Sequence, residues 1–461
     1  MNVQNPQNLK PGEARCPGPS TRDLILRDGW AVPEELVAES YEFLGDEDIP
    51  YERYTSQAFF DLEMQKLWPK AWQWACREEV IPQVGDYHVY DIGPYSILVT
   101  RVAPDEIKAF VNSCLHRGTQ LRPSDSTGSV QHFRCPFHGW TWNLDGSLKE
   151  IPCRWDFPKV TDEAFRLPEV KVGRWGGFVW INMDENAGPL EDWLEVLPRH
   201  FANWPLENRY TAVHVQKVLP ANWKATQEAF AEAYHVLETH SQALYTASDA
   251  NAQYDVFGER TSRFIHTVGI PSPHLEGPVS EEEILKRMRG GQGDMEIPEG
   301  GTARSVVADH LREALSEAYG IDLAQVSPSE LMDSIQYHLF PNTYLHSGVV
   351  LPLIYRFRPN GMDVGSTIFD ILVLRPIPEH GEAPEAAETH FLKPDESYTT
   401  TPGLDPGLAA VYDQDTGNLE MQQRGFQGAS YGLGKRGETL GNYQEIRIRR
   451  IQKTLDTFLN A

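Results

Sequence analysis

Cys114-Leu-His116, followed after eighteen intervening residues by Cys135-Pro-Phe-His138, constrains this chain more than any other feature. Each short hook pairs one thiolate with one imidazole. Two sulfurs and two nitrogens presented in this way suit a [2Fe-2S] cluster with one iron held by cysteines and the other by histidines, the Rieske arrangement. Neutral imidazoles in place of two thiolates remove negative charge from the cluster and raise its potential. Gly118, Pro136 and Gly139 supply turn geometry around the hooks, and Trp140 and Trp142 are placed to shield the cluster from water. A structural zinc is the bland alternative for two Cys and two His. Zinc hooks, however, pair Cys with Cys and His with His, so the spacing favours the cluster.

A second candidate metal site follows in NWKATQEAFAEAYHVLETHSQAL, where His235 and His240 stand five apart and Glu232 lies three before the first. The segment reads as one helix. Five residues leave two side chains about 140° apart on an undistorted α-helix. An i, i+5 pair comes into register on a π-type turn, so a distortion is expected between Tyr234 and His240. Two imidazoles and a carboxylate form a facial set that suits ferrous iron and leaves positions open for dioxygen. Two histidines on a helix are by themselves ordinary polar residues. The cluster hooks upstream make this pair a candidate iron site.

Together these motifs resemble the large (alpha) subunit of the Rieske non-haem iron oxygenases, the aromatic-ring-hydroxylating family with its monooxygenase and demethylase relatives. The resemblance runs from about residue 50 to the C-terminus. It rests on the two hooks, on Asn222-Trp223-Lys224, on the Glu232, His235 and His240 spacing, and on the late acidic segment VYDQDTGNLEMQQRG. It implies a [2Fe-2S] cluster at Cys114, His116, Cys135 and His138, and a mononuclear Fe(II) at His235, His240 and a distant aspartate. Asp415, directly after Gln414 and three before Asn418, matches that family position better than Asp413, the fallback. The family usually carries Asp where this chain has Glu232. The implied role of Glu232 is to bridge His235 to the Rieske histidine of a neighbouring subunit, and Glu there hints at monooxygenase-like relatives.

The fold that the resemblance implies is α+β: a β-rich Rieske domain, then a helix-grip (START-like) catalytic domain of antiparallel sheet and helices. The implied reaction takes electrons from NAD(P)H through a reductase, a ferredoxin or both, and activates O2 to mono- or dihydroxylate an aromatic or other hydrophobic organic substrate. Oxidative O- or N-demethylation is the alternative within the family. The implied assembly is a homotrimer, with or without a small beta subunit.

The chain's 461 residues suffice for two domains, each with its own core. An arm over 1–45 is Pro-rich and polar at its start and reads as flexible, reaching toward a neighbour. A Rieske domain is expected over 46–200 and a catalytic domain over 201–461, with a helical insert at about 279–320. A helix rich in Trp and Leu is expected around Gln57 to Ala75, then strands at YHVYDI, YSILVTRV, IKAFVNS and FVWINM, and an acidic helix at LEDWLEVLPRHF. Further strands are expected at YTAVHVQKVLP, HLFPNTYLHS, VVLPLIYRFRP and TIFDILVLRPI. In the insert, Ser280 and Glu283 form a capping box, GGQG breaks the helix, and a second helix runs from about Ser305 to Tyr319. Such an insert can serve as a substrate lid, although most decorate the surface. The C-terminal NYQEIRIRRIQKTLDTFLNA reads as an amphipathic helix.

Composition excludes several classes. A formal charge of −25 argues against nucleic acid or an anionic membrane as partner. No apolar run is long enough to span a bilayer, and the N-terminus has no signal-peptide core. Beyond the two hook cysteines, Cys16, Cys76 and Cys153 remain, an odd number that argues for a reducing cytoplasm, with packing the expected role of Cys153. Gly432, Gly434 and Gly437 match a dinucleotide fingerprint, but too little chain follows for a βαβ unit, so no NAD site is expected here. Two rivals of another class are a respiratory-type Rieske electron carrier and a zinc-stabilised binding module. The carrier has an extra Cys beside each hook, absent here, and it leaves the His235 segment unexplained.

Overall fold

A computed structural model describes residues 9–288, 295–378, 384–432 and 434–460. The GGQG break at 290–293, the first eight residues of the arm and Leu433 of the glycine-rich loop lie outside the described residues.

Two β-layers organise the chain. The first is a seven-stranded sheet running from Gln73–Arg77 at one edge through Phe178–Asn182, Glu169–Trp175, Glu106–Val111, Tyr95–Ala103 and Asp86–Ile92 to Thr127–Ser129. A three-stranded sheet of Phe133–Arg134, Thr141–Trp142 and Leu148–Glu150 carries the second hook. The other layer is an eight-stranded sheet. In spatial order it runs Gln253–Val256, Thr261–His266, Ser334–Leu339, Thr343–Ser347, Leu353–Asn360, Asp363–Pro376, Arg209–Leu219 and Thr389–Leu392. All its pairings are antiparallel except the last. The C-terminal helix Ile446–Leu459 packs on this sheet at Gln253–Val256 and Thr261–His266, giving the α+β, helix-grip arrangement.

Arg209–Leu219 alternates buried and half-buried positions along its whole length, the pattern of a strand with one covered face. Leu353–Asn360 is buried at nearly every position, because its second face meets the first sheet. There Arg356 reaches the carbonyls of Trp74 and Ala75, Arg358 reaches that of Asp91, and Asp370 accepts from both arginines at 3.0 and 3.4 Å. A charge that bridges two layers needs its counter-ion within the seam, and Asp370 supplies it.

Several expectations are corrected by packing. The helix expected around Gln57 to Ala75 spans only Gln57–Lys66, because Pro69 follows closely and residues Gln73–Arg77 are taken into the sheet. The acidic helix divides into Leu190–Leu194 and Leu197–His200 around Glu195, which sits at φ 51. Its carboxylate caps the backbone N–H groups of Glu259, Arg260 and Thr261. HLFPNTYLHS holds the ends of two paired strands around a Phe340–Pro341 turn. The arm, expected to be flexible and to reach a neighbour, lies along its own catalytic half: Ser40 bonds to Asp255 and Val256, and Arg263 donates to the carbonyls of Glu35 and Ala38. Cys153 is exposed rather than packed. The insert's second helix, Ala303–Tyr319, is tied down by Arg304, which pairs with Asp28 and Asp333 at 2.9 and 2.6 Å.

Candidate active site

The two hooks are built alike. Cys114 N–H donates to the Thr119 carbonyl at 2.9 Å, and Cys135 N–H to the Trp140 carbonyl at 2.8 Å. Gly118 and Gly139 close them by donating back to the carbonyls of Cys114 and Cys135. Both glycines sit at φ near +76°, at 77 and 75, which L side chains rarely adopt. The result buries both thiols and brings the two imidazoles to 4.7 Å between ring centroids. Burial and the neighbouring Cys135 push the Cys114 thiol up, whereas backbone N–H groups of the hook pull the other way. Trp140 stacks on His116 at 5.0 Å with 4° between planes, and Trp142 lies behind it, as shields would. His116 Nδ1 is buried and has no partner among the described residues. An orphaned imidazole nitrogen beside two buried thiols is what a cluster-binding loop pair leaves when its own groups supply no bond, and the donor set fits a [2Fe-2S] cluster. His138 and Phe137 are on the surface.

The second site is assembled differently from the expected distorted helix. The helix from Trp223 ends at Glu228, the chain crosses 229–235 without regular structure, and a single turn spans Val236–Thr239. Thr239 and His240 donate to the carbonyls of His235 and Val236, so the turn is α and not π. His235 caps its start and His240 its end, and at φ −122, ψ 45 the latter leaves the helix. That bend swings its ring back, placing the two ring centroids 5.2 Å apart.

Asp415, on the helix Pro406–Gly417, completes the group: His235, His240 and Asp415 each offer a ligand atom, all within 4.8 Å of one another. Asp415 Oδ1 lies 2.7 Å from His240 Nε2 and 3.5 Å from His235 Nε2. Asp413 faces elsewhere, accepting from Tyr398 N–H at 3.0 Å and from the Ser397 hydroxyl. Each imidazole is aimed by its other nitrogen. His235 Nδ1 donates to Glu232 Oε1 at 2.8 Å, and His240 Nδ1 to Gln414 Oε1 at 2.8 Å, which Gln242 also holds. Both Nε2 atoms are thereby turned toward Asp415, the orientation metal-binding histidines need. Burial pushes His235 down, but hydrogen bonds to Asp415 and Glu232 outweigh it and raise it to about 10. Burial likewise pushes Asp415 up, and the two imidazoles hold it below the usual carboxylate range.

The three residues open on a cavity of about 230 Å³. Phe230, Leu351, Leu353, Leu408, Val411, Tyr355 and Tyr412 supply its apolar wall, and Phe264, His266, Ser334, Gln336 and His346, on three neighbouring strands of the eight-stranded sheet, its floor. Ala229 and Val236 line it as well, whereas Leu244 lies outside the lining and packs behind it in the cluster that Val236 shares with Tyr254 and Val256. No described residue of the 279–320 insert contributes to the lining, so the lid reading has no support at this cavity. Gln414 and the floor residues escaped the sequence reading. Only the pairing of a late Gln with Asp415 hinted at the first, and the strand pattern gave no hint of the others.

Comparison with known proteins agrees with this architecture. The model of the family described as Rieske [2Fe-2S] domain matches residues 71–161, and that described as ring hydroxylating alpha subunit (catalytic domain) matches 199–461. The glycine betaine monooxygenase oxygenase subunit of Pseudomonas aeruginosa is 32% identical over 220 residues, 47% of this chain and 49% of that protein. The chain thus spans about half the length of that relative. The methanesulfonate monooxygenase hydroxylase subunit alpha of Methylosulfonomonas methylovora is 26% identical over 323 residues, 62% of this chain and 75% of that protein. Among solved structures, naphthalene 1,2-dioxygenase with indole bound superposes with a TM-score of 0.63 at 18% identity, covering 91% of this chain and 93% of the other. A quaternary ammonium Rieske monooxygenase in complex with L-carnitine gives 0.61 at 18%, covering 91% and 99%. The catalytic-domain match alone covers more than half of the chain, so the chain belongs to the ring-hydroxylating alpha subunit family, whose members carry a Rieske [2Fe-2S] cluster and a mononuclear iron.

Proposed function

We propose that this chain is the oxygenase component of a multicomponent Rieske oxygenase, hydroxylating a small organic substrate held in the cavity beside His235, His240 and Asp415. The observation that carries this reading is the convergence of those three side chains on the mouth of an apolar cavity in a chain that also presents two Cys–His hooks. When bound, the cluster at Cys114, His116, Cys135 and His138 supplies single electrons, and the iron supplies the site where O2 is reduced.

The protein's own residues do the rest. Glu232 and Gln414 accept from Nδ1 of the two imidazoles and so turn each Nε2 toward the position a metal would take. The apolar wall keeps water from the reacting centre. Electrons come from NAD(P)H through a separate reductase or ferredoxin.

Assembly as a head-to-tail homotrimer fits the surface. Phe137 and Trp155 are exposed at the cluster end, 57% and 82%, and Tyr234 is exposed beside His235, 55%. Arg117, Arg134 and Arg154 lie near the hooks in sequence, opposite in charge to Glu232 and Glu238 near the iron site. A closed ring would bring His138 of one subunit to Glu232 of the next. No helix among the described residues is long and apolar enough to cross a membrane.

The relatives include monooxygenases and dioxygenases, so they do not choose between one and two inserted oxygens. The test is iron and sulfide analysis of the purified protein, then substrate-dependent uptake of isotopically labelled O2 with a reductase, read by product mass. About three irons per chain and one or two labelled oxygens in product are expected. A chain with cluster iron alone and no labelled product would restore the electron-carrier reading. A colourless protein holding zinc would restore the binding-module reading.

A further inference from the structure

The floor of the cavity contains a relay that the proposed chemistry does not use. Arg447, on the C-terminal helix, is completely buried under the sheet. Its hydrogen bonds go to the Ser262 hydroxyl at 3.2 Å, the Ala231 carbonyl at 3.0 Å and Gln336 Oε1 at 2.9 Å, all neutral acceptors. Nη2 has no partner among the described residues. Burial pushes the guanidinium down, to about 10, which still leaves it charged at neutral pH. Among the described residues no carboxylate bonds to it directly, and Asp255 and Glu232 offset its charge only from a longer range, so its field is felt by whatever lies near it in the same low-dielectric interior.

What lies near it is Gln336. A guanidinium only donates, so the Gln336 oxygen must face Arg447 and the amide nitrogen must face the other way. That nitrogen lies 3.4 Å from His346 Nε2 on the neighbouring strand, where register places Gln336 opposite His346. His346 Nδ1 donates to the Leu353 carbonyl at 3.0 Å, which leaves its Nε2 as an acceptor. Burial holds His346 down to about 3 and His266 down to about 4, so both floor imidazoles are neutral. The two carboxylates that line the cavity, Glu232 and Asp415, are already engaged by His235 and His240. Among the described residues the relay Arg447, Gln336, His346, Leu353 therefore leaves one amide N–H of Gln336 without a partner and available to a ligand, with a positive charge behind it.

We propose that Gln336 is a specificity-determining residue of this cavity, positioned by Arg447, and that it selects substrates bringing an acceptor oxygen, a carboxylate above all, over those bringing a cation. The inference rests on the cavity being the substrate site. It deepens that reading by naming the polar group the substrate carries. A ligand carbonyl or carboxylate would complete the fourth arm of the amide and lie in the field of Arg447. An ammonium group would meet a donor and a buried like charge.

The test is direct binding, which needs no turnover. Holoenzyme kept anaerobic is titrated by calorimetry at neutral pH with four probes that share one ring: benzoate, benzamide, toluene and benzylamine. Benzoate should bind at least about tenfold more tightly than toluene, with benzamide between them and benzylamine the weakest. Gln336→Leu should bring benzoate down to toluene. Gln336→Glu gives Arg447 the carboxylate it lacks, so that variant folds at least as well and should turn the preference toward benzylamine. Benzylamine binding as tightly as benzoate to the wild type, a benzoate preference that survives Gln336→Leu, or no saturable binding by any probe would each overturn the proposal. Iron content and O2 uptake measured on the same samples report on the oxygenase reading separately.

Discussion

Glu232 grips His235 twice: its Oε1 accepts from Nδ1 at 2.8 Å and its Oε2 from the backbone N–H at 3.0 Å. The carboxylate therefore sets both where the residue stands and which tautomer it holds. A glutamine can still accept from Nδ1 through its one oxygen and gives up only the contact to the backbone N–H, so Glu232→Gln keeps the ring's tautomer while removing the charge. That variant should keep its mononuclear iron and its cluster spectrum, yet reoxidise the cluster at least about tenfold more slowly in a single turnover. The measurement is stopped-flow absorbance of the reduced cluster mixed with O2. Wild-type rates would confine Glu232 to holding the ring.

The third ligand is tested by a pair of variants on one helix. Asp415→Ala should release most of the mononuclear iron and leave the visible spectrum intact. Asp413→Ala should retain the iron and lose about 1–3 kcal/mol of stability, because Asp413 accepts from Tyr398 N–H and the Ser397 hydroxyl. Iron analysis with denaturant titration distinguishes the two, and iron loss in the Asp413 variant alone would exchange their roles.

How far the sequence reached depends on where each feature's determinants lie. The hooks were legible because a few adjacent residues hold both the ligands and the turns that aim them, Gly118 and Gly139 included. Four strands of the first sheet, Asp86–Ile92, Tyr95–Ala103, Glu106–Val111 and Phe178–Asn182, were legible, whereas Gln73–Arg77 reads as helix and Glu169–Trp175 and Thr127–Ser129 gave no signal. The break before His235 was not legible, since FAEAYHVLETH contains neither Gly nor Pro to interrupt a helix. Distant partners impose it: Tyr254 accepts from Ala233 N–H at 2.9 Å, and Arg447 donates to the Ala231 carbonyl at 3.0 Å. Those backbone groups are satisfied without a helix, so none forms. The cavity floor was equally hidden, because Thr343–Ser347 and nearly all of Leu353–Asn360 are buried and no period-two signal marks the face that meets the cavity.

Asn222-Trp223-Lys224 entered as a family anchor, and its physical role is to lock the helix that leads to the iron site. Lys224 Nζ lies 2.6 Å from Glu63 Oε1, and both side chains are fully buried. Trp223 Nε1 donates to the other Glu63 oxygen at 3.0 Å, and Asn222 caps the helix through Lys224 N–H. Burial pushes Glu63 up and Lys224 down, so the pair resists charging except together. Glu63→Ala or Lys224→Ala alone should destabilise the protein by about 3–5 kcal/mol, by leaving one charge uncompensated. Glu63→Leu with Lys224→Met should lie closer to the wild type than either single change. Chemical denaturation of the four proteins measures this, and strictly additive losses would refute the coupling.

Tyr54 joins two carboxyl groups that cannot both be ionised. Its hydroxyl lies 2.9 Å from Glu228 Oε2 and 2.9 Å from Glu438 Oε2, while Gln452 donates to the hydroxyl at 3.0 Å and to Glu228 Oε1 at 2.6 Å. One phenolic proton serves only one of the two contacts, so the other oxygen must bring its own. Burial, followed by repulsion from Glu438, holds Glu228 well above the usual carboxylate range, and burial raises Glu438 from 4.5 to about 7. The folded state thus binds protons that the unfolded chain releases. For Glu438 that stabilisation is complete below its unfolded value of 4.5 and is lost as pH rises through about 7. The unfolding free energy should fall by on the order of 2 kcal/mol between about pH 5 and pH 8 on this account. Glu438→Gln supplies a neutral group at every pH and should flatten that slope while matching or exceeding the wild type at the alkaline end. Denaturant titrations of both proteins across the interval decide the matter, and parallel pH profiles would show that the shared proton does not contribute to stability.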